Sequence, residues 1–215
     1  MKGKSVYPGS EPAGAGRMGV FRKLRPADYI VSAWSGGTTT QIAIAPEGAR
    51  YAERDFLWRV SSATVELEAS DFTPLPDYLR QIATLEGEIT LRHNGGAPLL
   101  LRPYEVHAFD GADDTHSVGR CRDFNLMLRR DAAEGEMEAL LLDGRYVVAP
   151  DPGTETLLLF CAEGGCTVTD PGGRETLQAG ETLLLTPSAP LTLEPEHGGA
   201  RLMLCRIRRR IGQNL

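Results

Sequence analysis

From residue 20 onward, apolar and β-branched residues come in short runs broken by Gly, Pro, Asn and Asp, which is the pattern of many strands joined by tight turns. The strands it predicts are Gln41–Ala45, Leu57–Leu67, Leu79–Leu85, Glu88–Arg92, Leu99–Arg102, Phe124–Leu128, Thr156–Cys161 and Arg201–Arg208. Asn94-Gly95 and Pro171-Gly172-Gly173 supply hairpin turns between them. One stretch has a different period. Across Glu134–Leu142, Met137, Leu140 and Leu141 share a helical face, and acidic residues open the first turn, where the helix dipole favours them. The spacing therefore predicts a short helix within 131–144, followed by the breaks Asp143-Gly144 and Pro150-Asp151-Pro152-Gly153, as a connection between two β domains.

A repeat supports that division. Glu86-Gly87-Glu88-Ile89-Thr90 returns as Glu163-Gly164-Gly165-Cys166-Thr167, 77 residues later, and at the same offset Gly95-Gly96 falls on Gly172-Gly173 and Leu100 on Leu177. A register kept across a strand, a turn and a second strand favours duplication over coincidence. The expected plan is a Gly/Pro/Ser-rich flexible leader (1–17), an N-terminal β domain (18–130), the connecting helix (131–144) and a C-terminal β domain (145–215).

With 41% hydrophobic and 24% charged residues, the chain has enough apolar material for packed cores. A net charge of -6 offers no general attraction to nucleic acid, and Arg206, Arg208, Arg209 and Arg210 read as a solvated strand end. No segment has the length and apolarity of a membrane span, and no apolar run follows the first basic residues, so the expected location is cytoplasmic. Four cysteines without an export signal are expected to stay reduced and buried. Composition leaves room for a homo-oligomer.

Several pieces of the first half, in order, resemble the HutD/Ves family of bicupins, which is associated with bacterial histidine utilisation. They are Trp34-Ser35-Gly36-Gly37-Thr38-Thr39, Trp58-Arg59-Val60-Ser61, Phe72-Thr73-Pro74-Leu75-Pro76, Arg80, Leu85-Glu86-Gly87, Phe109-Asp110-Gly111 and Asp123-Phe124-Asn125-Leu126-Met127. The family's usual Asn and third Gly after the first Trp are absent, and Gln41 stands where an acidic residue is common. The resemblance implies an all-β double cupin, two jelly-roll-like β-barrels of which the first has a pocket. Against the metal-binding cupin motifs, Gly87 takes the conserved glycine's place, Arg80 that of the acidic ligand, and Thr73–Pro76 the region of the two His. His107 lies one residue from the second motif's His, an offset that turns it to the opposite strand face. Neither a metal nor a cofactor is expected. His93, His116 and His197 read as surface residues, and Leu157, the counterpart of Arg80, makes the second barrel structural.

The candidate site follows from side-chain alternation. Arg59 and Ser61 share one face of their strand, and Asp123, Asn125 and Met127 share the more polar face of theirs. In one reading Arg59 and Arg80 enter one cavity and grip a carboxylate. In the other, Arg59 pairs internally with Asp123. In one reading Trp34, Gly36-Gly37 and Thr38–Thr40 form a loop over the pocket mouth, whose glycines admit a ligand closely; in the other, Trp34 only plugs the barrel end. The expected ligand-binding set is Trp34, Thr38, Arg59, Ser61, Arg80, Asp123 and Asn125, and the expected ligand is a small anionic metabolite such as urocanate or formylglutamate, bound as a signal or sequestered. No catalytic residue is assigned. The alternative is a metal-independent isomerase or lyase with His107 as general base.

Overall fold

The computed structural model describes residues 21–149 and 151–210, so the leader 1–17 lies outside the described residues. The chain is built almost wholly of strands: β1 (Arg22–Leu24), β2 (Ile30–Trp34), β3 (Gly37–Ala45), β4 (Trp58–Val65), β5 (Ala69–Asp71), β6 (Tyr78–Glu86), β7 (Ile89–His93), β8 (Leu99–Leu101) and β9 (Val106–Asp110). There follow β10 (Thr115–Val118), β11 (Cys121–Arg129), β12 (Ala133–Leu142), β13 (Tyr146–Val148), β14 (Thr156–Asp170), β15 (Gly173–Gln178), β16 (Thr182–Leu185) and β17 (Leu191–Arg209). In the first half, a six-stranded sheet of order β2-β3-β4-β11-β6-β9 faces a four-stranded sheet of order β5-β10-β7-β8. In the second half, a seven-stranded sheet runs β1-β16-β14-β17-β12, with β13 on β17 and β15 on β14. Its long strands β14 and β17 pass through both layers and bend at register shifts around Cys161–Cys166. Each half is thus a jelly roll, although hydrogen bonding closes neither into a continuous barrel.

The duplication is visible in the backbone. Gly87 and Gly164 both take a left-handed conformation, with φ of 74° and 75°. A Cβ on Gly87 would collide with the Arg120 carbonyl and lie 3.4 Å from the Cys121 Cα, while one on Gly164 would meet the Gly199 carbonyl and lie 3.3 Å from the Ala200 Cα. The 77-residue register does not survive the turn. Ile89 pairs with Leu101 while its counterpart Cys166 pairs with Leu177, so Leu101, not Leu100, matches Leu177. The turn after His93 is one residue longer.

The predicted helix at 131–144 is instead the strand β12, antiparallel to β17. Glu134, Glu136 and Glu138 recur with period two and bond across to Arg208 and Arg206, and Leu140 and Leu142 continue the same face into the core. Ten paired positions along β17 and an acid–base ladder outweigh a weak helical moment. The arginine cluster is therefore neutralised in place, with Arg209 on Glu155 and Arg210 on Glu134 completing it.

The halves join through a core of their own. Phe124, Leu126 and Leu128 on β11, with Val60 and Ala83, pack against Met137, Leu158, Phe160, Met203 and Ile207, and the Phe124 and Phe160 rings lie 5.1 Å apart. The six-stranded sheet is consequently buried on both faces. Gln81 stitches this interface: its Nε2 donates to the Gly135 carbonyl at 2.8 Å, and its Oε1 accepts from the Met137 amide at 2.7 Å. Gln81→Leu is expected to lower unfolding free energy by about 1–3 kcal/mol, because both backbone groups lose their partner. Chemical denaturation checks this, and an unchanged midpoint would show that water replaces the side chain.

All four cysteines are free and buried. Burial pushes every one of their thiols up, Cys121 and Cys161 to about 12, so none is a ready nucleophile. Among the described residues, no helix is long and apolar enough to cross a membrane.

Candidate functional site

Strand registers place Arg59 opposite Met127, Met127 opposite Arg80, and Asn125 between Ser61 and Ile82. Paired residues point to the same side of a sheet, so Arg59, Ser61, Arg80, Asp123 and Asn125 all face the interior of the first half. They line one cavity of about 370 Å³ together with Trp34, Thr39, Tyr51, Phe72 and Met127. A larger, shallower groove of about 920 Å³ runs along β1, β3 and β16, and its rim charges are partly spent on each other, as in Arg22 with Glu47.

Arg59 is buried and tied: its Nε donates to Gln41 Oε1 at 2.8 Å and its Nη1 to Ser61 Oγ at 2.9 Å, while its guanidinium lies 4.6 Å over the Tyr51 ring. Tyr51 is held there by a pinned loop, since Tyr78 stacks on Phe56 and donates its hydroxyl to the Arg54 and Phe56 carbonyls. Burial pushes Arg59 down to about 10, and the neighbouring Arg80 charge adds to the shift.

Arg80 is less satisfied. It lies 4.9 Å from both the Phe72 and Phe109 ring centres, its Nη2 reaches Asn125 Oδ1 only at 3.4 Å, and its buried Nε has no partner among the described residues. Burial pushes its guanidinium down as well. Neither arginine has a carboxylate within ion-pair distance among the described residues, so Arg59 is not paired with Asp123. Asp123 instead accepts the Ala63 amide on Oδ1 at 2.8 Å. Burial raises its carboxyl to about 6, against the opposing effects of that bond, of Arg80, of a side-chain hydrogen bond from Asn125 and of Arg59.

The second half shows the alternative arrangement. Its registers set Glu136 opposite Arg206 and Arg206 opposite Leu157, the positions of Arg59, Met127 and Arg80. There Arg206 donates to Glu136 at 3.2 Å and to Glu138 at 2.7 Å, and the space beyond is filled by Leu157, Leu202 and Leu204. Partly exposed ion pairs satisfy that arginine, whereas the first half keeps two buried arginines with no direct counter-ion among the described residues.

Other residues fall differently from expectation. Thr38 pairs with Thr64 and is exposed on the outer side, and Thr39, one residue on, lines the cavity. Trp34 is the last residue of β2, in a tight hairpin rather than a long loop, 40% exposed at the cavity mouth. Its ring covers Gly36, and Gly37 lets β3 approach the Thr64 carbonyl, so these glycines serve the hairpin rather than a ligand. His107 pairs with Ile82 and therefore faces inward with Arg80, not outward, because β9 enters the sheet one residue out of the expected phase. It does not line the cavity, lying beyond Phe109 with its Nε2 at 2.9 Å from that of His93. Burial and His93 push its imidazole down. His93 is half-buried rather than a surface residue, since its Nδ1 also meets the Thr115 hydroxyl at 2.8 Å. Tyr51 had no warning in the sequence, while Phe72 stood in a quoted motif without an assigned role.

Two jelly rolls in one chain, the first with a cavity lined by buried arginines and the second with an apolar core at the matching positions, define a bicupin. The chain belongs to the HutD family, a family linked to histidine utilisation, whose family model matches residues 26–203. A conserved protein of unknown function from Pseudomonas aeruginosa PAO1 is 28% identical, with a TM-score of 0.78 over 88% of this chain and 99% of that one. HutD from Pseudomonas fluorescens is 23% identical, with a TM-score of 0.73 over 89% and 100%. The fold extends to a bacterial pirin from Escherichia coli, solved in complex with nickel(II), at 9% identity and a TM-score of 0.61 over 87% and 98%. No curated protein sequence matches the chain.

Proposed function

We propose that the first half binds a small carboxylate between Arg59 and Arg80, and that binding senses or sequesters an intermediate of histidine catabolism such as urocanate or formylglutamate. The observation that carries this is the buried Arg80 guanidinium with an unpartnered Nε, in a site whose duplicate satisfies its arginine with Glu136 and Glu138. A buried cation without a counter-ion is costly, and an incoming carboxylate relieves the cost through two parallel hydrogen bonds. An apolar or cationic guest would leave it unrelieved. The enzymatic alternative loses its base, because His107 lies behind Phe109 and bonds to His93.

A thermal-shift and calorimetric screen of small carboxylates against wild type, Arg59→Ala and Arg80→Ala tests the reading. A ligand at a hundred times its Kd is expected to stabilise the wild type by about 2.7 kcal/mol, and both variants, still folded, should lose that gain. Equal stabilisation of all three proteins, or a preference for uncharged sugars, would refute it. Consumption of a bound acid by the wild type would restore the enzyme class.

A further inference from the structure

We propose that Asp123 is a second recognition pole of this cavity, and that the natural ligand is a carboxylate which also carries an N–H donor directed at the Asp123 carboxylate. The inference rests on the reading of Arg59 and Arg80 as anchors for the ligand's own carboxylate.

An acidic wall is out of place in a site that binds only anions. A second carboxylate confined in the same water-poor space repels the first, and one of the two must give up its charge. Asp123 is nonetheless buried on the wall that also carries Arg59, Arg80 and Asn125. Nor is it consumed by either arginine, since its one hydrogen bond to the main chain comes from the Ala63 amide to Oδ1. That bond and a side-chain hydrogen bond from Asn125 fix the orientation of the group, and a carboxylate, with about four lone-pair sites, can still accept a donor from a ligand.

The fold does not require an acid at this position. Asp123 pairs with Thr84, and the corresponding pair in the second half is Leu202 with Cys161, both in a purely apolar core. A buried carboxylate that the duplicated scaffold replaces by leucine is held for something other than packing. A donor on the ligand would satisfy it, and would turn the repulsion expected for a plain carboxylate into selection against it.

The other titratable or charged groups lining the cavity are Arg59, Arg80, Tyr51 and Asp71, of which Asp71 is exposed and 2.6 Å from the His116 Nδ1. Burial raises Asp123 to about 6, so above that pH it is ionised and accepts a donor, and below it the carboxyl is neutral and the preference fades. A plain carboxylate has the opposite trend, because it meets less repulsion once Asp123 is protonated.

Calorimetric titration of the full chain with two matched pairs separates these cases: urocanate against cinnamate, whose ring lacks the N–H, and formylglutamate against glutarate. At about pH 7.5 the N–H-bearing member of each pair is expected to bind at least about tenfold more tightly, the size of one hydrogen bond to a charged group. At about pH 5 that ratio should fall, and in the formylglutamate pair, whose amide does not titrate, the fall belongs to the protein. Asp123→Asn keeps an oxygen for the Ala63 amide and should erase the ratio at about pH 7.5 without weakening cinnamate or glutarate. Equal affinities within both pairs, or a ratio unchanged by Asp123→Asn, would overturn the inference. The comparison within wild type stands even if the variant folds poorly. Failure of all four acids to bind wild type would instead overturn the underlying reading of the arginines.

Discussion

Replacing Arg80 by Met is expected to raise the melting temperature of the ligand-free protein while abolishing carboxylate binding. Arg80 is buried, and among the described residues its Nε has no partner and its only side-chain hydrogen bond is a long one to Asn125, so the folded state bears a desolvated charge with little in return. A methionine of similar length fits between the Phe72 and Phe109 rings, where a thioether packs well on aromatic edges. Exchanging buried ions for apolar residues of similar volume often stabilises by about 1–4 kcal/mol. For a chain of this size each kcal/mol moves the transition by roughly 2–4 °C. Loss of a charge-paired anchor costs a ligand about 2–5 kcal/mol, which weakens binding by roughly thirtyfold or more. Calorimetric scans with and without ligand read both effects. A clear fall in melting temperature would show that Arg80 serves the fold.

The two sides of that expectation were unequally visible in the sequence. Period-two alternation put Arg59 with Ser61 and Asp123 with Asn125, and strand pairing preserves such parity, so these four polar residues of the cavity were legible, with Arg80 added by its place in the cupin motif. Thr38 was not, because its parity depends on where β3 begins and on a bulge between Gln41 and Ala43 that no composition rule reveals. His107 failed for the same reason on β9. The segment Glu134–Leu142 carried two periods at once, and its partner, the Arg206/Arg208 alternation, lies some seventy residues away. The chain's own repeat held the answer, since an offset of 77 carries β4 onto 135–142. Gln41 and Tyr51 reach the site through long-range pairing and a pinned loop, which local patterns do not encode.

Phe124→Ala is expected to be the most damaging single truncation, at about 3–5 kcal/mol. The ring is fully buried between the halves, packed on Phe160 and surrounded by leucine, methionine and isoleucine side chains of β12, β14 and β17. Strands on a central sheet cannot close such a gap without disturbing the cavity face behind them. Equilibrium denaturation should show the loss, and ligand affinity should weaken with it because Asn125 is the next residue along. A cost below about 1 kcal/mol would mean that the two halves are merely adjacent rather than coupled.

Strand β1 pairs with β16, so the first described strand of the chain finds its place in the second half, held by Lys23 on Glu181 and by the Tyr29 hydroxyl on Thr182. During synthesis, the segment 22–24 leaves the ribosome long before residues 182–184 exist. The β2–β11 jelly roll can collapse on the nascent chain, but strand β1 waits unpaired until β16 has emerged. The contact spans about 160 residues and has a high loop-closure cost, which places it among the last steps of folding. Once made, it ties β1 to the folded second half.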